Sequence, residues 1–344
     1  MPEGKIQAAF IGCGSHARRN IFPTFNFAPV ELVATCDLDL DRAETCRRLF
    51  GGLRAYDDHR ELLAAEDLDA VFIVTDYEPD GRPKYPPLAM DCMRAGCHVW
   101  IEKPPAASVA EIEAMQAVER QTGKFVLVGF KKAFTPTATH VKDIVSRPEF
   151  GQPSSLYLRY PQAMPDEKQK RGAPKTCRGF LDHVVHPGSL LTYLAGPVAN
   201  VQTLRGEAGG GFALVAMESG VPACLHFAAG QSGTSPLERL EVIGTGANVV
   251  VDNGVKLTYY RGGSRGPGGY GGAPDFIGDD AGAPLYWEPE FSLGQLYNKG
   301  LFLLGYVQEV DEFARCILND EKPSRGSLTH AHQVLHLYEL LLAT

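Results

Sequence analysis

The fold is decided by a stretch near the start of the chain, residues 6–17, which reads IQAAFIGCGSHA. A short apolar run leads into the pattern Gly-x-Gly-x-x-Ala, whose small positions are Gly12, Gly14 and Ala17. The first glycine permits a tight turn, the second lets the backbone approach a pyrophosphate, and the third small residue lets a helix pack closely on a strand. Ser15 and His16 then fall at the helix N-terminus, which favours an anion. The stretch predicts a dinucleotide-binding turn.

An acidic residue stands at the distance that such a turn requires. Asp37 ends the next apolar run, residues 31–37, and lies 23 positions after Gly14 (37 minus 14). A carboxylate at this place accepts hydrogen bonds from the ribose hydroxyls of adenosine. The two residues after Asp37 are not basic, so nothing beside it holds a 2′-phosphate, and NAD is favoured over NADP. Arg42 is close enough in sequence to leave NADP open.

The first 130 residues alternate between short apolar strands and helical segments. We predict strands at residues 6–11, 31–37, 70–75, 98–101 and 125–128, and helices at 39–50, 88–95 and 108–122. Ser108 and Glu111 form a capping-box pattern at the start of the last helix. Such alternation is typical of a parallel sheet covered on both faces. Residues 1–130 are therefore expected to form a Rossmann domain with a doubly wound parallel sheet.

The pattern changes after Phe130. Helices are predicted at residues 137–145, 181–194, 301–318 and 329–342, and β-like runs at 155–160, 212–217, 223–228, 240–243 and 249–251. The hairpin spacing of these runs predicts a largely antiparallel sheet. Residues 131–344 are therefore expected to form a second domain of the α+β class. The Gly- and Pro-rich segment 262–284 is predicted to be a long loop, either an oligomer contact or a lid.

Composition limits the class of protein. The 344 residues carry a formal net charge of −8, which argues against a broad nucleic-acid surface because phosphates need clustered Lys and Arg. No apolar run approaches the roughly 20 residues of a spanning helix, and the start of the chain lacks a signal-peptide pattern. The eight cysteines are scattered without a Cys-x-x-Cys pair, which favours free thiols over disulfides or a metal site. A cytoplasmic location is expected, with no metal and no membrane contact.

Two further motifs make the pattern specific. Glu102-Lys103-Pro104 follows an apolar run, and Asp182-His183-Val184-Val185-His186 lies on a predicted helix. With Gly-x-Gly-x-x-Ala and Val-Gly-Phe (128–130), and in this order, they resemble the glucose-fructose oxidoreductase / inositol dehydrogenase / rhizopine catabolism family, written Gfo/Idh/MocA. The resemblance covers nearly the whole chain. It implies a Rossmann domain, an open-sheet second domain, and a substrate held between that sheet and a nicotinamide.

The resemblance also implies roles for residues at matching positions. Lys103 is similar to the family lysine near the reacting carbon, and Asp182 and His186 resemble the pair that contacts the substrate hydroxyl. Oxidising an alcohol requires removal of the hydroxyl proton, which an imidazole accepts, while an ammonium stabilises the developing oxyanion. We expect His186 to act as general acid/base, Lys103 to act as polariser or alternate proton carrier, and Asp182 to orient either of them. Asp182 and His186 are four residues apart, so on a helix they share one face.

Other residues are expected to line the site. By the same resemblance, Thr75 and Glu102 are predicted to line the cofactor, beside Lys103. Lys131 and Tyr160 are predicted to contact the substrate; a solvated lysine and a core tyrosine are the open alternatives.

The chain departs from the family pattern at two places. Asp76 replaces a proline after Thr75, and the loop 76–87 is longer than usual, with Tyr85 where a histidine would align. Ser189 stands where the family often has a second aspartate after the histidine. A hydroxyl is an uncharged and weaker partner than a carboxylate. These changes are expected to alter pocket shape and the choice of substrate hydroxyl.

Three functions are weighed. The leading one is NAD(P)-dependent oxidation of a secondary hydroxyl on a sugar, cyclitol or sugar derivative. The alternatives are a glycoside hydrolase or lyase that keeps NAD bound and oxidises C3 transiently, and a non-catalytic regulator that binds NAD and a sugar. The basic loop 161–178 either holds a substrate phosphate or carboxylate or is simply solvated. A homo-oligomer, dimer or tetramer, is expected because an open sheet exposes a face that needs covering.

Overall fold

The N-terminal part of the chain forms a parallel sheet. We analysed a computed structural model that describes residues 4–262, 282–289 and 299–344. Its first sheet has the strand order β3-β2-β1-β4-β5-β6, with all neighbours parallel. The strands are β1 Ile6–Ile11, β2 Val30–Cys36, β3 Arg54–Tyr56, β4 Ala70–Ile73, β5 His98–Ile101 and β6 Val126–Val128. This order is that of a doubly wound dinucleotide-binding sheet, so the predicted Rossmann fold is confirmed.

Helices join these strands, and local sequence signals set their ends. They are α1 Leu40–Phe50, α2 His59–Ala65, α3 Tyr85–Arg94 and α4 Val109–Thr122. The Asp39 and Ser108 side chains cap α1 and α4 by accepting from backbone N–H groups of the first turn. The predicted capping box is half right, because the Glu111 carboxylate accepts from the N–H of Ala107 rather than from that of Ser108. The sequence did not predict β3 and α2, which are short and carry little periodicity.

Helix α3 begins three residues earlier than predicted. Tyr85 is its first residue, and Pro86 and Pro87 occupy the first turn. A proline costs a helix nothing there, since the missing N–H has no partner within the first turn. The long loop between β4 and α3 therefore ends at Lys84 and places the Tyr85 side chain inside the protein.

The second sheet is large and mostly antiparallel. In the described residues its order is β14-β13-β12-β11-β7-β10-β9-β8, and only β7 and β10 run parallel. Its strands are β7 Pro153–Tyr160, β8 Val198–Arg205, β9 Gly211–Met217, β10 Pro222–Phe227, β11 Arg239–Gly244, β12 Asn248–Asp252, β13 Lys256–Tyr260 and β14 Leu285–Trp287. Burial alternates along β9, as a sheet with one covered face requires. The predicted α+β architecture is confirmed.

Helices cover the inner face of this sheet and connect it to the first. They are α5 Lys131–Phe134, α6 Pro136–Val145, α7 Glu167–Arg171, α8 Arg178–Ala195, α9 Lys299–Leu303, α10 Tyr306–Leu318 and α11 Leu328–Ala343. The single helix predicted at residues 301–318 is interrupted at Gly305. Gly305 has φ +90°, and a Cβ there would lie 2.2 Å from the carbonyl oxygen of Lys131, so the chain turns before α10.

Helix α10 returns to the N-terminal sheet. The ring of Phe313 lies 5.3 Å from that of Phe72 on β4 and 5.8 Å from that of Phe125 beside β6, both edge-on. The hydrophobic cluster that contains Phe313 is the one built on Phe10 of β1. The C-terminal part of the chain thus completes the core of the first sheet, and the division of the chain at residue 130 stays a prediction.

Three sequence expectations concern the molecule as a whole. All eight cysteines are free, as predicted. Among the described residues no cluster of His, Cys, Asp and Glu is arranged to hold a metal ion, and no helix is long and apolar enough to cross a membrane. The loop predicted at residues 262–284 lies largely outside the described ranges.

We predict that Phe313→Ala lowers the free energy of unfolding by about 3–5 kcal/mol, because it empties a fully buried aromatic site against the first sheet. Urea unfolding measures this loss. Leu49→Ala on α1 is the control, since Leu49 is 65% exposed and its change is expected to stay within about 0.5 kcal/mol. Equal small losses for both variants would show that α10 is not part of the N-terminal core.

Candidate active site

The glycine-rich turn after β1 uses its two glycines differently. Gly12 has φ +95°, and a Cβ there would lie 1.9 Å from the carbonyl oxygen of Val74, so the position accepts only glycine. A Cβ on Gly14 would meet nothing within 4 Å. Helical structure begins at the next residue, Ser15, and Ala17 is fully buried against the sheet. Gly12 therefore serves the fold, whereas Gly14 leaves open space at a helix N-terminus.

Asp37 anchors this turn. Its Oδ2 accepts from the backbone N–H of Cys13 at 2.7 Å, and its Oδ1 accepts from that of Asp39 at 3.0 Å. The carboxylate therefore lies at the end of β2 beside the glycine turn, where the sequence predicted it. Arg42 turns away from it and pairs with Asp39, its Nε lying 3.1 Å from Oδ2.

Glu102 joins the glycine turn to the turn after β5. Its Oε1 lies 2.8 Å from Nε2 of His16, and its Oε2 accepts from the backbone N–H of Lys103 at 2.7 Å. The other ring nitrogen of His16 is bonded to the Asn20 amide at 3.0 Å. Glu102 is only 3% exposed, so its carboxyl group is shielded from bulk water, while the His16 side chain is 38% exposed. This link fixes Lys103 next to the helical segment that follows Gly14.

Thr75 lies on the other side of the glycine turn. Its methyl group would be 3.5 Å from a Cβ on Gly12, and its hydroxyl is buried without a hydrogen-bond partner among the described residues. Its carbonyl accepts from the Tyr85 hydroxyl at 3.1 Å. Burial raises the pKa of Tyr85 far above its ordinary value, so the phenol stays a donor. The buried Tyr85 side chain therefore ties the end of the loop between β4 and α3 to its start at Thr75.

The second motif meets the first through an ion pair. Nζ of Lys103 lies 2.7 Å from Oδ1 of Asp182 and 3.2 Å from the Asp182 carbonyl oxygen. The hydroxyl of Tyr77 donates to the same Oδ1 at 3.0 Å. Burial alone raises the pKa of the Asp182 carboxyl, but the charge and hydrogen bond of Lys103, together with Tyr77, hold it below its usual value. The sequence predicted the meeting of Lys103 and Asp182, but it did not single out Tyr77.

His186 lies one turn further along α8 and is almost completely enclosed, with 6% of its surface exposed. Its Nδ1 is buried without a partner in the described part of the chain. Burial, and then the charges of three lysines that include Lys103, put the pKa of the imidazole well below its usual value. The ring is therefore neutral at physiological pH. The ring of Tyr160, at the end of β7, lies 6.0 Å from it.

A cavity with a few polar side chains in its wall lies between His186 and the second sheet. Across it, the ammonium of Lys132 pairs with Oε1 of Glu238 at 2.7 Å. The residues that line it come from α5, α6, α8, β7, β11, β12 and the adjoining turns: Lys132, Thr135, Thr137, Ala138, Leu158, Arg159, Tyr160, His186, Pro187, Leu190, Glu238, Arg239, Leu240, Val251 and Gly254. Lys132 and Glu238 were not predicted, since a lysine pair and a lone glutamate look like surface residues in the sequence.

The residues that line this cavity do not include Lys131 or Ser189. Nζ of Lys131 donates to the Tyr306 hydroxyl at 2.9 Å, and the Tyr306 ring lies 6.0 Å from that of His16. Lys131 therefore sits on the side of the glycine turn, and burial lowers its pKa. The Ser189 hydroxyl is fully buried and donates to the His186 carbonyl within α8, so it does not replace the aspartate as a pocket group.

Comparisons with known proteins agree with this geometry. Residues 6–130 match the family model of an oxidoreductase family with an NAD-binding Rossmann fold, Gfo/Idh/MocA. The chain is 25% identical over 203 residues to 4-carboxy-2-hydroxymuconate-6-semialdehyde dehydrogenase of Sphingobium sp., a match that covers 58% of this chain and 62% of that protein. It is also 25% identical over 186 residues to inositol 2-dehydrogenase of Salmonella typhimurium, covering 53% and 54%.

The whole fold has relatives among solved structures. An oxidoreductase from Agrobacterium radiobacter, solved in complex with NAD+, L-tartaric acid and magnesium, superimposes with a TM-score of 0.77 at 18% identity. The match covers 98% of this chain and 96% of that one. The curated relatives are matched over only about half to three fifths of their own length. The N-terminal domain, residues 6–130, thus matches the Gfo/Idh/MocA oxidoreductase family, and the solved structure shares the fold of both sheets.

Proposed function

We propose that the chain is an NAD-dependent dehydrogenase that moves a hydride between nicotinamide and a secondary hydroxyl of a sugar, cyclitol or sugar derivative. One observation carries this proposal. Lys103 and Asp182 come from segments 79 residues apart and form an ion pair of 2.7 Å one helical turn from the buried His186. The Glu102–His16 bond holds that pair beside the glycine turn. An ammonium, a carboxylate and a neutral imidazole thus converge where a dinucleotide would end.

The residues around the glycine turn fit NAD. Gly14 leaves room for a pyrophosphate, and the buried Thr75 hydroxyl lacks a partner that a ligand would supply. Asp37 would hold the adenosine ribose, and the pairing of Arg42 with Asp39 leaves no guanidinium on Asp37 for a 2′-phosphate. NADP is therefore the less favoured cofactor. The residues that would hold the cofactor are Gly12, Gly14, Ser15, His16, Ala17, Asp37, Thr75, Glu102 and Lys103.

In the proposed reaction, side chains of this protein would accept the proton of the substrate hydroxyl and stabilise the charge on its oxygen. His186 is neutral, so it can accept the proton of the substrate hydroxyl. Lys103 donates to Asp182 through its ammonium and would place a further N–H on the substrate oxygen, where negative charge develops. Asp182 orients Lys103 through their ion pair. NAD, when bound, would supply the hydride acceptor for oxidation, and its reduced form the hydride donor for reduction.

The substrate class follows from the cavity and from the relatives. Lys132, Glu238 and Tyr160 offer a donor, an acceptor and an aromatic edge beside His186, a set suited to several hydroxyl groups. Inositol 2-dehydrogenase is among the relatives. We therefore favour a carbohydrate or polyol, with Tyr160 at the cavity wall and Lys131 nearer the cofactor.

Two further features belong to the proposal. The eight free thiols suit a reducing compartment, and we place the enzyme in the cytoplasm. The open face of the second sheet exposes Leu204, Phe212 and Leu214, which favours a homo-oligomer, a dimer or a tetramer, that covers them.

A substrate screen tests the function directly. Polyols, sugars and sugar derivatives are incubated with NAD or NADP, and nicotinamide absorbance is followed. We expect stoichiometric NADH from at least one carbohydrate, with NAD preferred. Turnover without net NADH, or no binding of either dinucleotide at millimolar concentration, would contradict the proposal.

We predict that Lys103→Met and His186→Asn each lower kcat/KM by about 10²–10⁴-fold, because each removes a group that acts on the reacting hydroxyl. The affinity for NAD is expected to change little in His186→Asn, since His186 is not among the residues that would hold the cofactor. Lys5→Met is the matched control, since Lys5 is exposed and its ion-pair partner in the described residues is Glu31. Steady-state kinetics and calorimetric titration with NAD measure the two effects. Wild-type rates in Lys103→Met would remove the lysine from the mechanism.

The buried imidazole also predicts the pH profile. An ordinary histidine is half protonated near pH 6.5, so an exposed histidine would lose its capacity to accept a proton below that pH. Because the pKa of His186 is lowered, the neutral base persists below that pH. We expect kcat/KM for alcohol oxidation to stay level from pH 7 down through pH 6.5. A fall with a midpoint at pH 6.5 would show an exposed base instead.

We predict opposite outcomes for two glycine variants. Gly12→Ala strains a positive φ and collides with the Val74 carbonyl, so it lowers the free energy of unfolding of the cofactor-free protein by at least about 1–3 kcal/mol. Gly14→Ala meets no protein atom, so stability stays near wild type, but NAD affinity falls about tenfold or more. Urea unfolding and calorimetry separate the effects. Unchanged NAD affinity in Gly14→Ala would place the pyrophosphate elsewhere.

A further inference from the structure

The loop between β4 and α3 contains a hairpin, residues 76–84, that is held firmly in place. The N–H of Glu78 donates to the Arg82 carbonyl at 2.7 Å, and Tyr77 forms a β-bridge with Pro83. At its tip, Gly81 has φ +88°, and a Cβ there would lie 2.7 Å from Cα of Lys175. The hairpin thus packs on the segment that leads into α8, the helix of Asp182 and His186.

This hairpin carries one side chain into the site. Tyr77 donates its hydroxyl to Oδ1 of Asp182, the oxygen that also accepts from Lys103. The guanidinium of Arg178 lies 5.1 Å from the centre of the Tyr77 ring. Burial and the nearby Asp182 charge raise the pKa of Tyr77, so the phenol keeps its proton and remains a donor at every working pH.

We propose that Tyr77 is a positioning residue of the acid/base site, whose hydroxyl fixes the Asp182 carboxylate so that it holds Lys103 toward the substrate oxygen. The proposal rests on the dehydrogenase function proposed above. With Lys103 as its single partner, the carboxylate would turn about its own axis and the long lysine chain would follow it. Two donors on one oxygen define the plane of the carboxylate.

The same arrangement leaves groups available for a substrate. Among the described residues, Tyr77 and Lys103 bond the side chain of Asp182 through Oδ1, and Nε2 of His183 lies 4.0 Å from Oδ2, too far for a hydrogen bond. The Lys103 ammonium has three N–H groups, and Asp182 takes two of them. One carboxylate oxygen and one N–H thus remain, a suitable pair for a hydroxyl that loses its proton as its oxygen gains charge.

The alternative is that the hydroxyl merely tethers the hairpin. Tyr77→Phe separates the two, because it keeps the ring, its contact with Arg178 and the hairpin backbone, and removes only the bond to Asp182. Tyr56→Phe is a matched control. Tyr56 donates to Glu66 at 2.6 Å, and Glu66 pairs with Arg54, so the same phenol–carboxylate–cation set occurs outside the site.

Two readouts test the proposal. For a substrate found in the screen, Tyr77→Phe is expected to lower kcat about tenfold, the scale of one hydrogen bond to a charged group, without changing the KM for NAD. The acid limb of the pH profile moves to higher pH, since the Asp182 carboxylate loses a donor that favours its ionised form. In an Asp182→Asn background the same change is expected to have little further effect.

The second readout needs no turnover. The cofactor-free protein is treated with limiting acetic anhydride, and acetylation of Lys103 is measured by peptide mass spectrometry relative to the exposed Lys5. Lys103 is expected to react severalfold faster in Tyr77→Phe than in wild type or Tyr56→Phe. A loss of thermal stability with unchanged kcat and unchanged Lys103 labelling would overturn the proposal in favour of a tether. If no alcohol is oxidised, the dehydrogenase function fails, and the labelling still decides whether Tyr77 positions the pair.

Discussion

The site depends on the buried carboxylate of Glu102. One of its oxygens binds the His16 ring in the helical segment that follows Gly14, and the other binds the backbone N–H of Lys103. A carboxyl group that is only 3% exposed needs hydrogen-bond partners for its oxygens, because it has given up water. Each bond therefore requires the other, and together they set the distance between the glycine turn and the lysine. Without this link, the cofactor side and the reacting side would be two separate loops.

Helix α8 supplies the other half of the site and assigns different environments to its two ionisable groups. Asp182 is partly exposed and holds its charge against Lys103, whereas His186, one turn later, is enclosed and neutral. Two titratable groups can take different roles at the same pH when their pKa values are lowered by different causes. The carboxylate remains an orienting charge, and the imidazole remains free to accept a proton. The rigid helix fixes their spacing, so neither role requires a loop to move.

Local signals explain what the sequence predicted well. The bounds of β1 and β5 agree with prediction, and Asp39 and Ser108 cap their helices, because apolar runs and caps act within a few residues. The pairing of Lys103 with Asp182 was anticipated only through the family resemblance, since the two residues lie 79 positions apart. The return of α10 to the first sheet and the contact of Lys131 with Tyr306 had no local signal at all.

The same limit applies at the level of single side chains. Lys131 and Lys132 are adjacent in sequence, yet one bonds Tyr306 beside the glycine turn and the other bonds Glu238 across the cavity. No pattern of residue types distinguishes them, because the short helix α5 simply directs successive side chains to different partners. Tyr77 is a similar case, since a tyrosine in a proline-rich loop looks like a surface residue until the hairpin is placed against α8.

A second buried carboxyl group, that of Glu309, lies close enough to Glu102 to interact with it. Glu309 on α10 is fully buried, and burial together with the nearby Glu102 raises its pKa far above the usual value. The raised pKa favours the neutral acid form of Glu309, which does not repel the Glu102 carboxyl group. Lys131 adds a partly buried ammonium near both carboxyl groups, so the link that positions Lys103 has a cation beside it.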